Sequence, residues 1–452
     1  MILSKNPYNG EILQEHREFT AEDIDKALKK ADDAYKDWRL SSFAERSRLL
    51  KNAAAELKKN SREYAEAISK EMGKPITQAV AEIEKCAWVC EYYAGNAEEQ
   101  LSPVNVETDA ENSYITWEPI GVVLAVMPWN YPFWQVFRFA APALMAGNTA
   151  LLKHASNVMI SGGNIQKVFE RAGFPKGCFQ NLVIGSKKVE QVINDDRVKA
   201  VTLTGSTGAG REVAATAGKN IKKTVLELGG SNALVVFNDA NLEEAVKTCV
   251  QARFQNTGQS CIAGKRLLLQ EGIADRFLEK FKAEVENLKS GDPMAEDTFI
   301  GVQAREDLAE DIEKQVKESV KMGAEIIAGG ERKGAFYPPT IVTGVTPDMP
   351  MFTEETFGPA IGVTVFTLEQ EAVELVNRSQ FGLGVSLFTS DLEKAKRMVP
   401  LFEDGAVFVN ELVKSDPRLP FGGTKNSGYG RELSFLGIRE FVNIKTVFIK
   451  KI

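Results

Sequence analysis

The sequence predicts an α/β protein built on two doubly wound parallel sheets, with a small additional β element. Three observations carry that prediction. β-rich apolar runs alternate with helical segments between about residues 113 and 230, and the same rhythm resumes after 231. Two β-prone stretches, "SYITWEP" (113–119) and the C-terminal "TVFIKKI", stand at the margins of these series. Alternation of this period is what a parallel sheet requires, because each crossover buries one helix face against the strands.

Residues 20–100 come first and read as helices. "TAEDIDKALKKADDAYKDWR" opens with Thr20 and Asp23 at capping-box spacing and then repeats apolar residues three and four apart. "SFAERSRLLKNAAAELKKNSREYAEAISKEMGK" continues the pattern to Gly73 and Pro75. "GVVLAVMPW" (121–129) is an apolar run of the kind covered on both faces. Strands at "TALLKHA", "FQNLVIG", "VKAVTLTGS" and "KKTVLELGG" are then separated by helices at "SGGNIQKVFERAG", "VEQVINDD" and "TGAGREVAATAG". The second series has strands at "NALVVF", "KRLLLQ", "PTIVTGV", "PAIGVTVF", "VSLFTS" and "AVFVN", with helices from 241 and over 272–289. "ELSFLGIREFVN" reads as helical, and the β-prone ends suit pairing with another subunit.

Length and composition bound the function. A chain of 452 residues is long enough for two or three domains of roughly 150 residues each. With 44% hydrophobic and 26% charged residues it is not disordered, and a net charge of −7 argues against nucleic acid or an anionic membrane as partner. The N-terminal stretch lacks the apolar run of a signal peptide, and no stretch approaches the ~20 apolar residues of a membrane span. A cytoplasmic location is expected. The five cysteines include no C-x-x-C pair, so neither a disulfide framework nor a zinc site is indicated, and no metal is expected. Cys86 and Cys90, four apart, read as a buried helix face. The two histidines, His16 and His154, are the only ones available to a Cys–His dyad.

Four stretches carry chemistry. "QNTGQSC" (255–261) surrounds Cys261 with small and polar residues, an unusual setting for a free thiol. "VTLTGSTGAGR" (201–211) reads strand, Gly-rich turn, helix; its G-x-x-G-x-G spacing suits a dinucleotide pyrophosphate at a helix N-terminus or an ordinary turn. "VLELGG" puts Glu227 at an apolar strand end, either a satisfied carboxylate or a general base whose pKa is raised by desolvation. Asn130 in "PWNYPFWQVFR" reads as an N-cap or as an amide donor to an oxyanion.

In order along the chain, "NPYNGEI", "MPWNYP", "AGNTALLKHAS", "VTLTGSTGAG", "LELGGSNALVV", "QNTGQSC", "EETFGP" and "PFGGTKNSGYGRE" resemble the aldehyde dehydrogenase family nearly end to end. The resemblance implies two Rossmann-like domains: cofactor-binding over 1–98 and 118–229, catalytic over 230–428. It also implies a bridging or oligomerisation element over 99–117 and 429–452, and a homo-oligomer, dimer or tetramer. Cys261 is then the nucleophile, Asn130 with the Cys261 N–H the oxyanion site, and Glu227 the base that activates water against the thioester. Cofactor contacts fall on Trp129, Lys153, Gly185, Gly205, Ser206, Glu355 and Phe357. Where many NAD-preferring members read K-P-S-E, this chain reads "KHAS", Lys153 to Ser156. Serine in place of the glutamate removes a charge that repels a 2′-phosphate, so NADP is favoured, with NAD still admitted.

The aldehyde is expected to be carboxylated. Arg138 lies eight residues after Asn130, about two helical turns and ~12 Å along the axis, and points back toward the helix N-terminus. Alone it reads equally as a surface or intersubunit salt bridge; the text here is similar to bacterial succinate-semialdehyde dehydrogenases, which favours a substrate carboxylate. Ser415 falls where that subgroup places a substrate-contacting serine. A second arginine common there is Gln255 in this chain, with Lys414 or Arg418 as candidate substitutes. Ala263 occupies the position of the subgroup's second cysteine, so no disulfide gating of Cys261 is expected. The alternatives are a glutarate semialdehyde, neutral or amino aldehyde substrate, a CoA-acylating relative (against which Glu227 argues), a thiol hydrolase, or a non-catalytic scaffold on the same fold.

Overall fold

Thr20 opens the first long helix, Ala21–Trp38: its side chain accepts from the Asp23 amide at 3.2 Å, and the Asp23 carboxylate accepts from the Thr20 amide at 2.9 Å. In the computed structural model, which describes residues 1–451, three more helices follow: Phe43–Lys59, Ser61–Met72 and Ile76–Gln100. Gly73, with φ of 77°, ends the third of the four. Cys86 and Cys90 are fully buried on the last.

The first large sheet has six strands in the order Gly428–Tyr429, Lys223–Glu227, Val198–Thr204, Val122–Met127, Thr149–His154, Phe179–Asn181. All pair in parallel except the short edge strand Gly428–Tyr429. From Val122–Met127 the chain winds outward through two strands, returns across the sheet, and winds the other way. The carboxyl ends of Val122–Met127 and Val198–Thr204 therefore diverge at a topological switch point, where open α/β sheets form their binding crevice. The second sheet has seven strands in the order Glu325–Ala328, Thr340–Thr343, Ala360–Phe366, Gly264–Gln270, Asn232–Val236, Val385–Phe388, Val407–Val409. Its core strands are buried on both faces, which explains their apolar runs Ala233–Val236 and Leu267–Leu269.

A third, antiparallel sheet joins Val104–Asn105, Asn112–Pro119 and Val442–Ile449, the last two in register over eight pairs. Its free edge carries Ile444, Phe448 and Ile449, all exposed. The segment expected to be helical before it is not: only Ser434–Gly437 forms a turn of helix. Leu433 and Ser434, at the start of the expected helix, have φ of 63° and 54°, outside the right-handed helical region, and Val442 enters the strand.

A ribbon near the C-terminus ties the edge of the first large sheet to Phe381–Gly382, the segment that leads into strand Val385–Phe388 of the second. Thr424–Lys425 pairs with Phe381–Gly382, Gly428–Tyr429 pairs with Glu227–Leu226, and Phe421 exchanges backbone bonds with Glu432.

Candidate active site

Cys261 follows a tight turn, Gln255–Gly258, that ends the helix Leu242–Phe254. Asn256 and Thr257 both have φ of 54°, a left-handed conformation that costs a β-branched residue about 1–3 kcal/mol. Neighbours hold it there. Thr257 Oγ1 accepts from the Gly301 amide at 3.0 Å, and Asn256 Nδ2 donates to the carbonyls of Asn130 (2.9 Å) and Gln259 (3.0 Å). Gly258 has φ of 70°, and a Cβ there would lie 2.5 Å from the Gly358 carbonyl, so only glycine fits. Cys261 is partly exposed while the other four cysteines are buried. It lines a cavity of about 340 Å³ together with Lys74, Lys85, Tyr131, Trp134, Arg138, Gln255, Lys414, Ser415 and Phe421. Burial pushes its thiol up to about 11, and the charges of Arg138 and Lys265 pull the other way.

Asn130 is not a helix cap. The helix Trp134–Met145 begins four residues later. The Asn130 amide donates to the Gln259 carbonyl at 3.0 Å and accepts from Gln135 Nε2 at 3.1 Å, leaving one N–H without a protein partner. Glu82 caps that helix instead, its Oε1 accepting from the Phe133 and Trp134 amides at 2.8 and 3.0 Å; an anion there is stabilised by the helix dipole. Glu82 in turn pairs with the buried Lys74. One helix thus presents the Asn130 loop at its start and Arg138 on its body. Arg138 is buried, ion-paired to the buried Glu432, and donates from Nη2 to Thr204 Oγ1 at 3.3 Å. The salt bridge considered for this arginine exists, but it lies inside the subunit, with Arg138 itself in the cavity wall.

Glu227 ends its strand buried, with Oε1 unpartnered. Burial first, and then the charge of Glu432, hold its carboxyl well above the usual carboxylate range, with Arg138 and Arg431 opposing. Its backbone carbonyl accepts from the Gly205 amide at 3.0 Å, so the Gly-rich turn and the base candidate are tied directly.

At the switch point, Lys153 lies near the end of the strand Thr149–His154, buried and without an acidic partner. Ser156 is exposed at the start of the following turn. Ser206 caps the helix Thr207–Lys219, its Oγ accepting from the Ala209 amide. His154 is buried, held neutral by desolvation with its pKa near 4. Its ring accepts from the Ala155 amide at 3.0 Å and donates to the Pro132 carbonyl at 2.9 Å. It therefore fastens the cofactor-side strand to the Asn130 loop and is not a partner for the thiol. His16 lies elsewhere, bonded to Ser4. The Gly185 amide donates to Glu18 at 3.0 Å. Trp129 and Phe357 meet edge to face with centroids 5.7 Å apart. Lys265 Nζ donates to the Ser260 and Cys261 carbonyls (2.9 and 2.7 Å) and to Glu355 Oε1 at 3.0 Å.

The sequence profile described as "Aldehyde dehydrogenase family" matches residues 1–447. This chain belongs to the aldehyde dehydrogenase family. It is 48% identical over 452 residues to a probable NADP+ succinate-semialdehyde dehydrogenase of Synechocystis sp., covering 99% of each chain. It is 44% identical to an NAD(P)+ succinate semialdehyde dehydrogenase of Escherichia coli, covering 100% of this chain and 98% of the relative. Among solved structures, a succinic semialdehyde dehydrogenase from Streptococcus pyogenes in complex with NADP+ superposes with a TM-score of 0.97 at 38% identity, covering 100% of both chains.

Cys261, Arg138 and Ser415 line one cavity; Asn130 does not line it, and its side chain bonds to the carbonyl of Gln259, two residues before Cys261. Of the two cations expected to stand in for the arginine missing at Gln255, Arg418 is excluded: it is exposed, paired with Asp416, and outside the cavity wall. Lys414 lines the cavity but is paired with Glu411. Sequence reading missed Lys85, Glu82, Lys265 and Glu432. Lys85 and Glu82 were hidden in an amphipathic helix rich in charge. Lys265 had one visible signal, a basic pair heading a strand that is otherwise apolar.

Proposed function

We propose that this enzyme oxidises succinic semialdehyde to succinate with NADP+ and accepts NAD+ less well. The observation that carries this reading is a partly accessible thiol in a cavity whose wall holds Lys85, Arg138 and Ser415, in a chain whose relatives are named for that substrate. Bound cofactor supplies the hydride acceptor. Lys153, buried without an acidic partner, and exposed Ser156 suit a 2′-phosphate; Gly205 and Ser206 would hold the pyrophosphate, with Trp129, Gly185, Glu355 and Phe357 around the remaining groups.

The chain's own residues then perform the following chemistry. Cys261 adds as thiolate to the aldehyde carbon, and the oxygen becomes an oxyanion. The free N–H of Asn130 and the backbone N–H of Cys261 stabilise that charge. Loss of hydride restores the C=O bond as a thioester on Sγ. Glu227 takes a proton from water, the hydroxide adds to the thioester, and the C–S bond breaks to release succinate and the thiolate.

The fold supports a division into a cofactor-binding part (1–98, 118–229), a catalytic part (230–428) and a bridging element (99–117, 429–452). The exposed apolar residues on the edge strand Val442–Ile449 suit a homo-oligomer. Among the described residues no helix is long and apolar enough to cross a membrane; a cytoplasmic site of action is part of the proposal. The test is reduced-nicotinamide formation by the purified protein with succinic semialdehyde, glutarate semialdehyde and butanal, each with NADP+ and NAD+. High kcat/KM with succinic semialdehyde and NADP+ is expected. A preference for butanal would discard the substrate, and a strong preference for NAD+ the cofactor.

A further inference from the structure

We propose that Lys85, together with Ser415, binds the distal carboxylate of the substrate as the second recognition cation of the site. The inference rests on the carboxylated-aldehyde reading above and deepens it. Four basic side chains line the cavity that holds Cys261. Three carry their own counter-ion: Lys74 is paired with Glu82, Arg138 with Glu432, and Lys414 with Glu411 at the rim. Of these four, only Lys85 has no carboxylate partner among the described residues; its ammonium makes one hydrogen bond, to Ser415 Oγ at 2.9 Å.

The geometry holds that charge in place. Lys85 lies on the helix Ile76–Gln100, and its Nζ stands 4.3 Å from the centroid of the Trp134 ring, close enough for a cation–π contact. Ser415 approaches from the far lobe, 330 residues later in the chain. An ammonium with one neutral partner has donors left over, and a serine hydroxyl bonded to it is set to donate to the same anion. Arg138 contributes charge too, but its Nε is engaged by Glu432, so the uncompensated positive charge in the cavity is that of Lys85. Burial and the neighbouring charge of Arg138 draw the Lys85 pKa down to about 8, with Cys86, Glu82 and Asp416 opposing, so the group is protonated at neutral pH. A half-buried cation lacking a counter-ion is costly until an anion arrives. Substrate supplies it.

The test compares kcat/KM for succinic semialdehyde with that for butanal, a neutral aldehyde of equal chain length, in wild type, Lys85→Met and Lys85→Arg. In Lys85→Met the ratio of the two is expected to fall by about 30-fold, mainly through KM for the carboxylated aldehyde, because hydrogen bonds to charged groups are the strong ones. Lys85→Arg should recover most of that ratio. A purely architectural Lys85, bracing the Ser415 segment, would change both substrates alike and leave the ratio unmoved, which would overturn the proposal. If wild type itself showed no preference for the carboxylated aldehyde, the substrate reading would fall and this inference with it. A wild-type preference that survives in Lys85→Met removes Lys85 alone.

Discussion

Arg138 and Glu432 form an ion pair in which both side chains are buried, and Glu227 feels the charge of each. The pair therefore does two things: it fixes an arginine in the cavity wall, and, after burial, its two opposed charges tune the acidity of the carboxylate proposed to activate water. Glu432→Gln removes a negative charge that raises the Glu227 pKa and leaves Arg138, which lowers it, unopposed. Glu227 should then ionise at lower pH. Its base form, needed for hydrolysis, is lost as pH falls through its pKa, so the acid limb of thioester hydrolysis should move to lower pH in single-turnover measurements. The variant should also lose about 3–5 kcal/mol of stability, the usual cost of breaking a buried pair, read as a drop in Tm.

Glu227→Gln should separate the two halves of the reaction. Acylation and hydride loss need only Cys261 and its oxyanion donors, whereas release of the acid needs the base. A burst of about one reduced cofactor per site is expected, followed by a steady state slower by roughly 10²–10⁴. Absence of a burst, with the first turnover equally slowed, would move Glu227 out of the hydrolytic step.

The cofactor preference should respond to one residue. Ser156 is exposed where the strand bearing Lys153 ends. Ser156→Glu places a negative charge beside the proposed 2′-phosphate site, and the NADP+/NAD+ ratio of kcat/KM should fall by about 30–100-fold, a few kcal/mol of like-charge repulsion. Steady-state kinetics with both cofactors decides it.

Resting Cys261 should be a slow nucleophile. Burial holds its thiol up at about 11, so below that value the thiolate fraction rises about tenfold per pH unit. Alkylation of cofactor-free enzyme by iodoacetamide should therefore climb from pH 7 to pH 9 without a plateau. Lys265→Gln, which removes a cation that favours the thiolate, should slow the reaction further at fixed pH. A plateau near neutrality would show that the thiol is already ionised.

Much of this site was legible in the sequence, and for a physical reason. The proposed nucleophile and base, the Gly-rich turn and the Asn130 loop each sit at the carboxyl end of a strand or in a turn. There, small or strained residues stand out against an apolar background: Gly258 beside Cys261, or Gly229 and Gly230 beside Glu227. The strand order was not readable, because alternation reveals parallel pairing but not which way the chain winds after Val122–Met127. The supporting charges were hidden for a different reason. Lys85 and Glu82 occupy a helix in which charged residues are common, and nothing local distinguishes a solvated lysine from one facing a cavity. Glu432, 205 residues beyond Glu227, meets it only through the fold. The helix expected at "ELSFLGIREFVN" shrinks to one turn: Leu433 and Ser434 take positive φ, and the Ser434 backbone bonds to the distant Pro417 carbonyl and Tyr93 hydroxyl, partners that nothing local reveals.

The C-terminal ribbon that pairs with the edge of the first sheet has a consequence for how the protein is made. The strand ending at Glu227 reaches its edge partner only when residues 428–429 exist, about 200 residues further on in synthesis. A ribosome adding roughly 5–20 residues per second leaves that edge, and the proposed base beside it, uncovered for some tens of seconds. The first half of the chain can collapse around its own helices in that interval, but it cannot be finished. The edge beside the proposed base is therefore among the last parts of the fold to be completed, when Gly428–Tyr429 pairs with it. A polypeptide truncated before that ribbon would carry Cys261 and Glu227 intact, yet present an open strand edge to the cell's proteases and to its own copies.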